Sequence, residues 1–100
     1  MLELINKVDQ WDNDRNLIDG SDPKSQCLKL ISEVGELADN INKNRDVRDD
    51  IGDCIVVLII LARQKGLTVT ECLEVAYNDI KDRKGVMVDG VFIKEGDNPK

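Results

Sequence analysis

The sequence predicts an all-α fold: a four-helix bundle-like arrangement with a small C-terminal β-hairpin, assembled as an oligomer. Three observations carry this expectation. Apolar residues recur at helical spacing in three separate stretches of the chain. Two helix starts are signalled, one by Pro23 behind Ser21 and Asp22, the other by the capping box Thr68-Val69-Thr70-Glu71. Near the end, Asp89-Gly90 separates Val86-Met87-Val88 from Val91-Phe92-Ile93, the pattern of a type I′ hairpin.

A chain of 100 residues with 41% apolar content suits a single domain spanning 1–100 with a modest core. Trp11, Tyr77 and Phe92 are its only aromatic residues, so aliphatic side chains must supply most of the packing. The net charge of −6 argues against general affinity for nucleic acid polymers or an anionic membrane. The longest apolar run, Cys54 to Ala62, is nine residues, too short to span a bilayer. Glu3, Lys7 and Asp9 interrupt any apolar stretch near the start, so no signal peptide is expected. The cysteines, Cys27, Cys54 and Cys72, form no C-x-x-C pair and read as buried free thiols of a reducing, cytoplasmic protein. The absence of histidine excludes a Ser-His-Asp triad, a Cys-His dyad and histidine-ligated zinc. Neither a G-x-x-x-x-G-K-[ST] nor a G-x-G-x-x-G phosphate loop is present.

A first helix is expected over residues 2–17, from Leu4 or Ile5, Val8 and Trp11 at helical spacing. Asp12 to Asn16 briefly resembles a calcium loop, but Leu17 stands where glycine is required and Pro23 where the closing glutamate belongs. The second helix follows from Pro23, with an apolar stripe of Cys27, Leu30, Ile31, Val34, Leu37, Ala38 and Ile41. Asn42 to Arg45 form a polar turn, and a third helix is expected over residues 46–65, stopped by Gly66. That helix is apolar nearly all round, and a subunit interface would cover it. The fourth carries Val69, Cys72, Leu73, Ala76 and Ile80 and is expected to end at Gly85. Lys81, Arg83 and Lys84 complement the dipole of its C-terminus, which is their ordinary explanation. Residues 94–100 read as a polar, frayed tail.

The chemistry concentrates between Glu33 and Asp53. Glu33-Val34-Gly35-Glu36 and Asp50-Ile51-Gly52-Asp53 each hold two carboxylates three residues apart. On a helix such pairs share a face, roughly 5–6 Å apart. Two such helices could converge four carboxylates on one point, where only a cation relieves the repulsion. All-oxygen donors suit Mg²⁺ or Mn²⁺. The competing reading is two solvated helix faces. Neither Glu33 nor Glu36 has a lysine or arginine four residues further on, whereas Asp39 has Lys43. Acidic residues in a first helical turn favour the dipole, which accounts for Asp46, Asp49 and Asp50 but poorly for Asp53. Asp53 lies a turn deeper, immediately before the apolar run, where an unpartnered carboxylate is costly.

In this order, Glu33-Val34-Gly35-Glu36-Leu37, Asp50-Ile51-Gly52-Asp53, an aliphatic helix and Lys81-Asp82-Arg83-Lys84-Gly85 resemble the MazG-like nucleotide pyrophosphohydrolases. These belong to the all-α NTP pyrophosphatase superfamily, with the dimeric dUTPases as relatives. The resemblance covers about residues 22 to 95. It implies a MazG-type fold and hydrolysis of a nucleoside triphosphate to the monophosphate and pyrophosphate, with Mg²⁺ held by Glu33, Glu36, Asp50 and Asp53. Glu36 or Glu33 would then orient the attacking water, and Asn78, Lys81 and Lys84 would hold the polyphosphate. Trp11 and Gln26 are candidates for contact with the base, and a homodimer or homotetramer is expected. The family usually has glutamate where Asp50 stands, so this carboxylate reaches about 1 Å less far, one methylene short. The alternative from a different class is a non-catalytic oligomeric helical protein whose acidic face docks a partner.

Overall fold

The computed structural model describes residues 1–96, so the expected frayed end at 97–100 lies outside the described residues. The described residues are mostly helical, with four helices and one antiparallel hairpin, and the chain divides into two compact units between Val69 and Thr70.

The first unit holds α1 (Leu2–Asp14), α2 (Pro23–Asn42) and α3 (Arg48–Gln64). Asp22, not Ser21, caps α2. Its backbone is extended, one carboxylate oxygen accepts from the Ser25 N–H at 2.8 Å, and the other accepts from the Ser25 hydroxyl at 2.9 Å. Pro23 fills the first helical position, where no N–H is needed. At the other end Asn44 takes a positive φ of 54°, and Arg45 donates back to the Asn40 carbonyl at 2.9 Å, which turns the chain into α3. α1 is shorter than expected. Asn16 adopts φ 55° and Leu17 donates to the Asp12 carbonyl at 2.9 Å, so the helix stops at Asp14.

α3 packs against both α1 and α2. Val57, Ile59, Ile60 and Ala62 of α3 form the buried core. Across the α1–α3 seam, Arg63 donates to both oxygens of Asp9 at 3.1 and 2.8 Å. Gln64 donates to the Ile18 carbonyl at 3.2 Å and ties down the segment that follows α1. α3 is thus covered within its own chain over most of its surface, with Ile51 and Leu58 left exposed.

The face that α2 turns inward differs from the expected stripe. Gln26, Leu30, Glu33, Leu37 and Asn40 are the buried or half-buried positions, whereas Cys27, Ile31, Val34, Ala38 and Ile41 are exposed. Both sets fit a 3.6-residue period, and packing on α3 selects the first. The expectation of buried thiols fails for the same reason. Cys27 rides on the outer face of α2, Cys72 is exposed on α4, and Cys54 is half-buried.

The second unit carries α4 (Val69–Ile80, its first residue closing the preceding unit), β1 (Gly85–Val88) and β2 (Val91–Lys94). α4 buries none of its residues and ends four residues before Lys84, at a turn in which Arg83 donates to the Ile80 carbonyl at 2.9 Å. The hairpin pairs Gly85 with Lys94 and Val88 with Val91. Asp89 and Gly90 have φ of 49° and 82°, both positive as a type I′ turn demands. At Gly85 a Cβ would collide with the Ile93 carbonyl oxygen across the ladder, so this position requires glycine.

Candidate active site

The first unit contains a cavity of about 490 Å³. Trp11 and Leu17 contribute from α1 and the segment after it, Ser25, Gln26, Lys29 and Glu33 from α2, and Asp53, Val56, Val57 and Ile60 from α3. The wall is therefore polar along α2 and, apart from Asp53, apolar on the α3 side. Trp11 is half exposed, with the Arg15 guanidinium stacked 4.4 Å from the ring centroid. Gln26 is oriented by a 2.9 Å hydrogen bond from its amide nitrogen to the Ser21 hydroxyl oxygen.

The expected carboxylates divide by environment. Glu33 is buried and pairs with the Lys29 ammonium at 3.1 Å. Asp53 is half-buried in the same cavity wall. Burial pushes its carboxyl above the ordinary range, reinforced by the charges of Asp49, Glu33 and Asp50 and opposed by Lys29. Asp50 is buried, and both its oxygens accept from the Asn40 amide nitrogen. Glu36 is exposed, one turn from Glu33 on α2. Among the described residues, no three carboxylates or thiols converge closely enough to hold an ion. Glu33 is turned toward Lys29 and Asp50 toward Asn40. In chemistry alone the donor set is of the kind a hard dication takes, since every candidate ligand is a carboxylate oxygen.

Asn78 lies in the last turn of α4, Lys81 in the turn that follows, and Lys84 lines a cavity of about 430 Å³ on the hairpin. All three belong to the second unit. The structure also shows residues that the sequence reading passed over. Lys29 has a local signal, since it stands four residues before Glu33 on the same helix. Asn40 had none, because its partner Asp50 is ten residues away across a turn.

Residues 21–87 match the MazG nucleotide pyrophosphohydrolase domain, and the chain belongs to that family. It is 47% identical over 66 residues to an uncharacterized 18.2 kDa protein in the rep-hol intergenic region of Haemophilus phage HP1 (strain HP1c1). That match takes in 64% of this chain but only 40% of the phage protein's length. No solved structure matches the chain. No helix among the described residues is long and apolar enough to cross a membrane.

Proposed function

We propose that this chain is a Mg²⁺-dependent nucleoside triphosphate pyrophosphohydrolase, converting a (deoxy)nucleoside triphosphate and water to the monophosphate and pyrophosphate. One observation above all supports the reading: a single cavity wall carries Glu33 and Asp53 beside Trp11 and Gln26. Such a pocket offers an aromatic face and an amide for a nucleobase next to carboxylates suited to a metal–phosphate. Glu33, Glu36, Asp50 and Asp53 would hold Mg²⁺, or Mn²⁺ in its place. Bound there, the ion would neutralise phosphate charge and acidify a water. With no histidine in the chain, a carboxylate is the natural base for the attacking water, and Glu36 or Glu33 takes that role. Trp11 stacks on the base and Gln26 meets its polar edge; Asn78, Lys81 and Lys84 of the second unit are proposed, each by itself, as groups that bind polyphosphate.

A homodimer or homotetramer is part of the same proposal, in a cytoplasmic protein that works on the nucleotide pool. Ile31, Val34 and Ile41 on α2 and Leu73, Val75 and Tyr77 on α4 are exposed apolar residues that association would bury. The test is a panel of ribo- and deoxyribonucleoside triphosphates incubated with Mg²⁺ and assayed for pyrophosphate. Release of pyrophosphate with at least one of them is expected. No release from any would leave the non-catalytic docking protein as the better account.

A further inference from the structure

The connector between α1 and α2, residues 15–22, is pinned at several points. The Gly20 N–H donates to the Asn16 carbonyl at 3.0 Å, and a Cβ at Gly20 would collide with that carbonyl oxygen, so the turn requires glycine. Gln64 of α3 fastens its middle by donating to the Ile18 carbonyl. The two ends of this held segment each grip one side chain of the 490 Å³ cavity. At the start, the Arg15 guanidinium lies 4.4 Å from the Trp11 ring centroid, and its Nη1 donates to the Trp11 carbonyl at 3.4 Å. Near the end, the Ser21 hydroxyl accepts from the Gln26 amide nitrogen at 2.9 Å. Trp11 and Gln26 line the cavity, whereas Arg15 and Ser21 do not. Ser21 has no duty in the cap of α2, which Asp22 supplies.

We propose that this connector governs base binding in the cavity: Arg15 holds the Trp11 indole as a stacking platform, and Ser21 fixes the Gln26 amide for the polar edge of a planar heterocyclic base. This role presupposes that Trp11 and Gln26 contact the base, and it adds the residues that place them. An indole has two faces, and a guanidinium on one leaves the other to stack. An amide carries its nitrogen and oxygen at opposite corners, so a bond that fixes the nitrogen also fixes where the oxygen lies. Unheld, both side chains would have to be ordered when a ligand binds, at a cost in affinity. Arg15 and Ser21 order them beforehand and are positioning residues, acting through Trp11 and Gln26. Arg15 precedes the residues 21–87 that match the family domain, so family membership assigns it no role.

Trp11 is the sole tryptophan of the chain, so its fluorescence reports on this site alone. The experiment titrates the whole chain with adenosine, guanosine, cytidine and uridine, each by itself, and follows that fluorescence. Nucleosides carry no phosphate, so the measurement reads base binding apart from hydrolysis. Quenching of the parent by at least one nucleoside is expected. Arg15→Leu and Ser21→Ala should each weaken that binding about three- to fivefold, the scale of one exposed cation–π contact or one neutral hydrogen bond. Arg15→Lys, which keeps a cation, and Ser21→Thr, which keeps the hydroxyl, should stay near the parent. Arg15 is exposed and Ser21 half-buried outside any cap, so these variants should fold, and unchanged melting temperatures would show it. Equal or tighter binding by Arg15→Leu and Ser21→Ala would overturn the positioning role and leave the base contact standing. Failure of Arg15→Lys and Ser21→Thr to restore binding would overturn it as well. Absence of quenching in the parent would overturn the base contact and the positioning role together, while pyrophosphate release in the triphosphate panel would still stand for the enzyme.

Discussion

The side-chain amide nitrogen of Asn40 lies 3.1 and 3.0 Å from the two carboxylate oxygens of Asp50, joining the end of α2 to the start of α3. This contact holds one of the two aspartates among the four candidate carboxylates in a buried position and orients it by a neutral donor. Replacing Asn40 by leucine removes that donor and leaves a buried carboxylate without its partner. A loss of about 1–3 kcal/mol in urea unfolding is expected. Asp50→Asn retains an oxygen that can accept from Asn40, so it should cost less stability while weakening Mg²⁺ binding. Equal destabilisation by the two substitutions would argue against this role for the Asn40 amide.

The carboxylates make a sharper prediction for activity. Glu33→Gln, Glu36→Gln and Asp53→Asn should each lower pyrophosphate release on the order of a hundredfold or more, because metal placement and charge neutralisation fail together. An ion held by these carboxylates would bind only the folded site, so Mg²⁺ should raise the melting temperature of the parent, and this rise should vanish in Asp53→Asn. Asp50→Glu, which introduces the residue more usual in the family, should stay active. Unimpaired hydrolysis by Glu36→Gln and Asp53→Asn would remove these residues from the mechanism.

Asp12 predicts a distinct pH dependence. It is fully buried on α1, and neither of its oxygens has a hydrogen-bond partner among the described residues. Burial first, and the neighbouring Asp9 charge second, push its carboxyl from 3.8 up to about 6. The native state therefore holds this proton more tightly than the unfolded chain does. The resulting stabilisation is full below pH 3.8 and is lost as the pH rises through about 6. Asp12→Asn keeps the shape without the charge. It should be more stable than the parent at pH 7.5 by about 1–3 kcal/mol, with the gap closing toward pH 4. Urea unfolding of both proteins between these limits checks the sign, and a gap independent of pH would refute the assignment.

The outer face of α2 tests the assembly. Ile31 and Val34 are exposed on that face, 64% and 48% respectively, so charges there cost little in an isolated chain. If a second copy covers them, Ile31→Glu with Val34→Lys should convert the oligomer to monomer in sedimentation velocity at micromolar concentration while leaving the helix content intact. A parent that already sediments as a monomer would dispose of the homo-oligomer.

Helix existence and most helix ends were legible in the sequence because they depend on neighbours within a turn. Pro23 after Asp22, Gly66 after α3 and Asp89-Gly90 in the hairpin act through local dihedrals and local hydrogen bonds, which the order of residues alone determines. The carboxylate motif was legible too, as a spacing. Only the tertiary structure decided which face of α2 meets α3, because apolar residues lie on two adjacent faces and periodicity cannot rank them. That choice turned Glu33 and Asn40 inward and Cys27, Ile31 and Val34 outward. It also set the partners of the charges: Asn40 for Asp50, Arg63 for Asp9 and, among the described residues, none for Asp12. A charge's partner across a packed seam depends on the rotation of one helix about another, and no run of consecutive residues encodes that rotation.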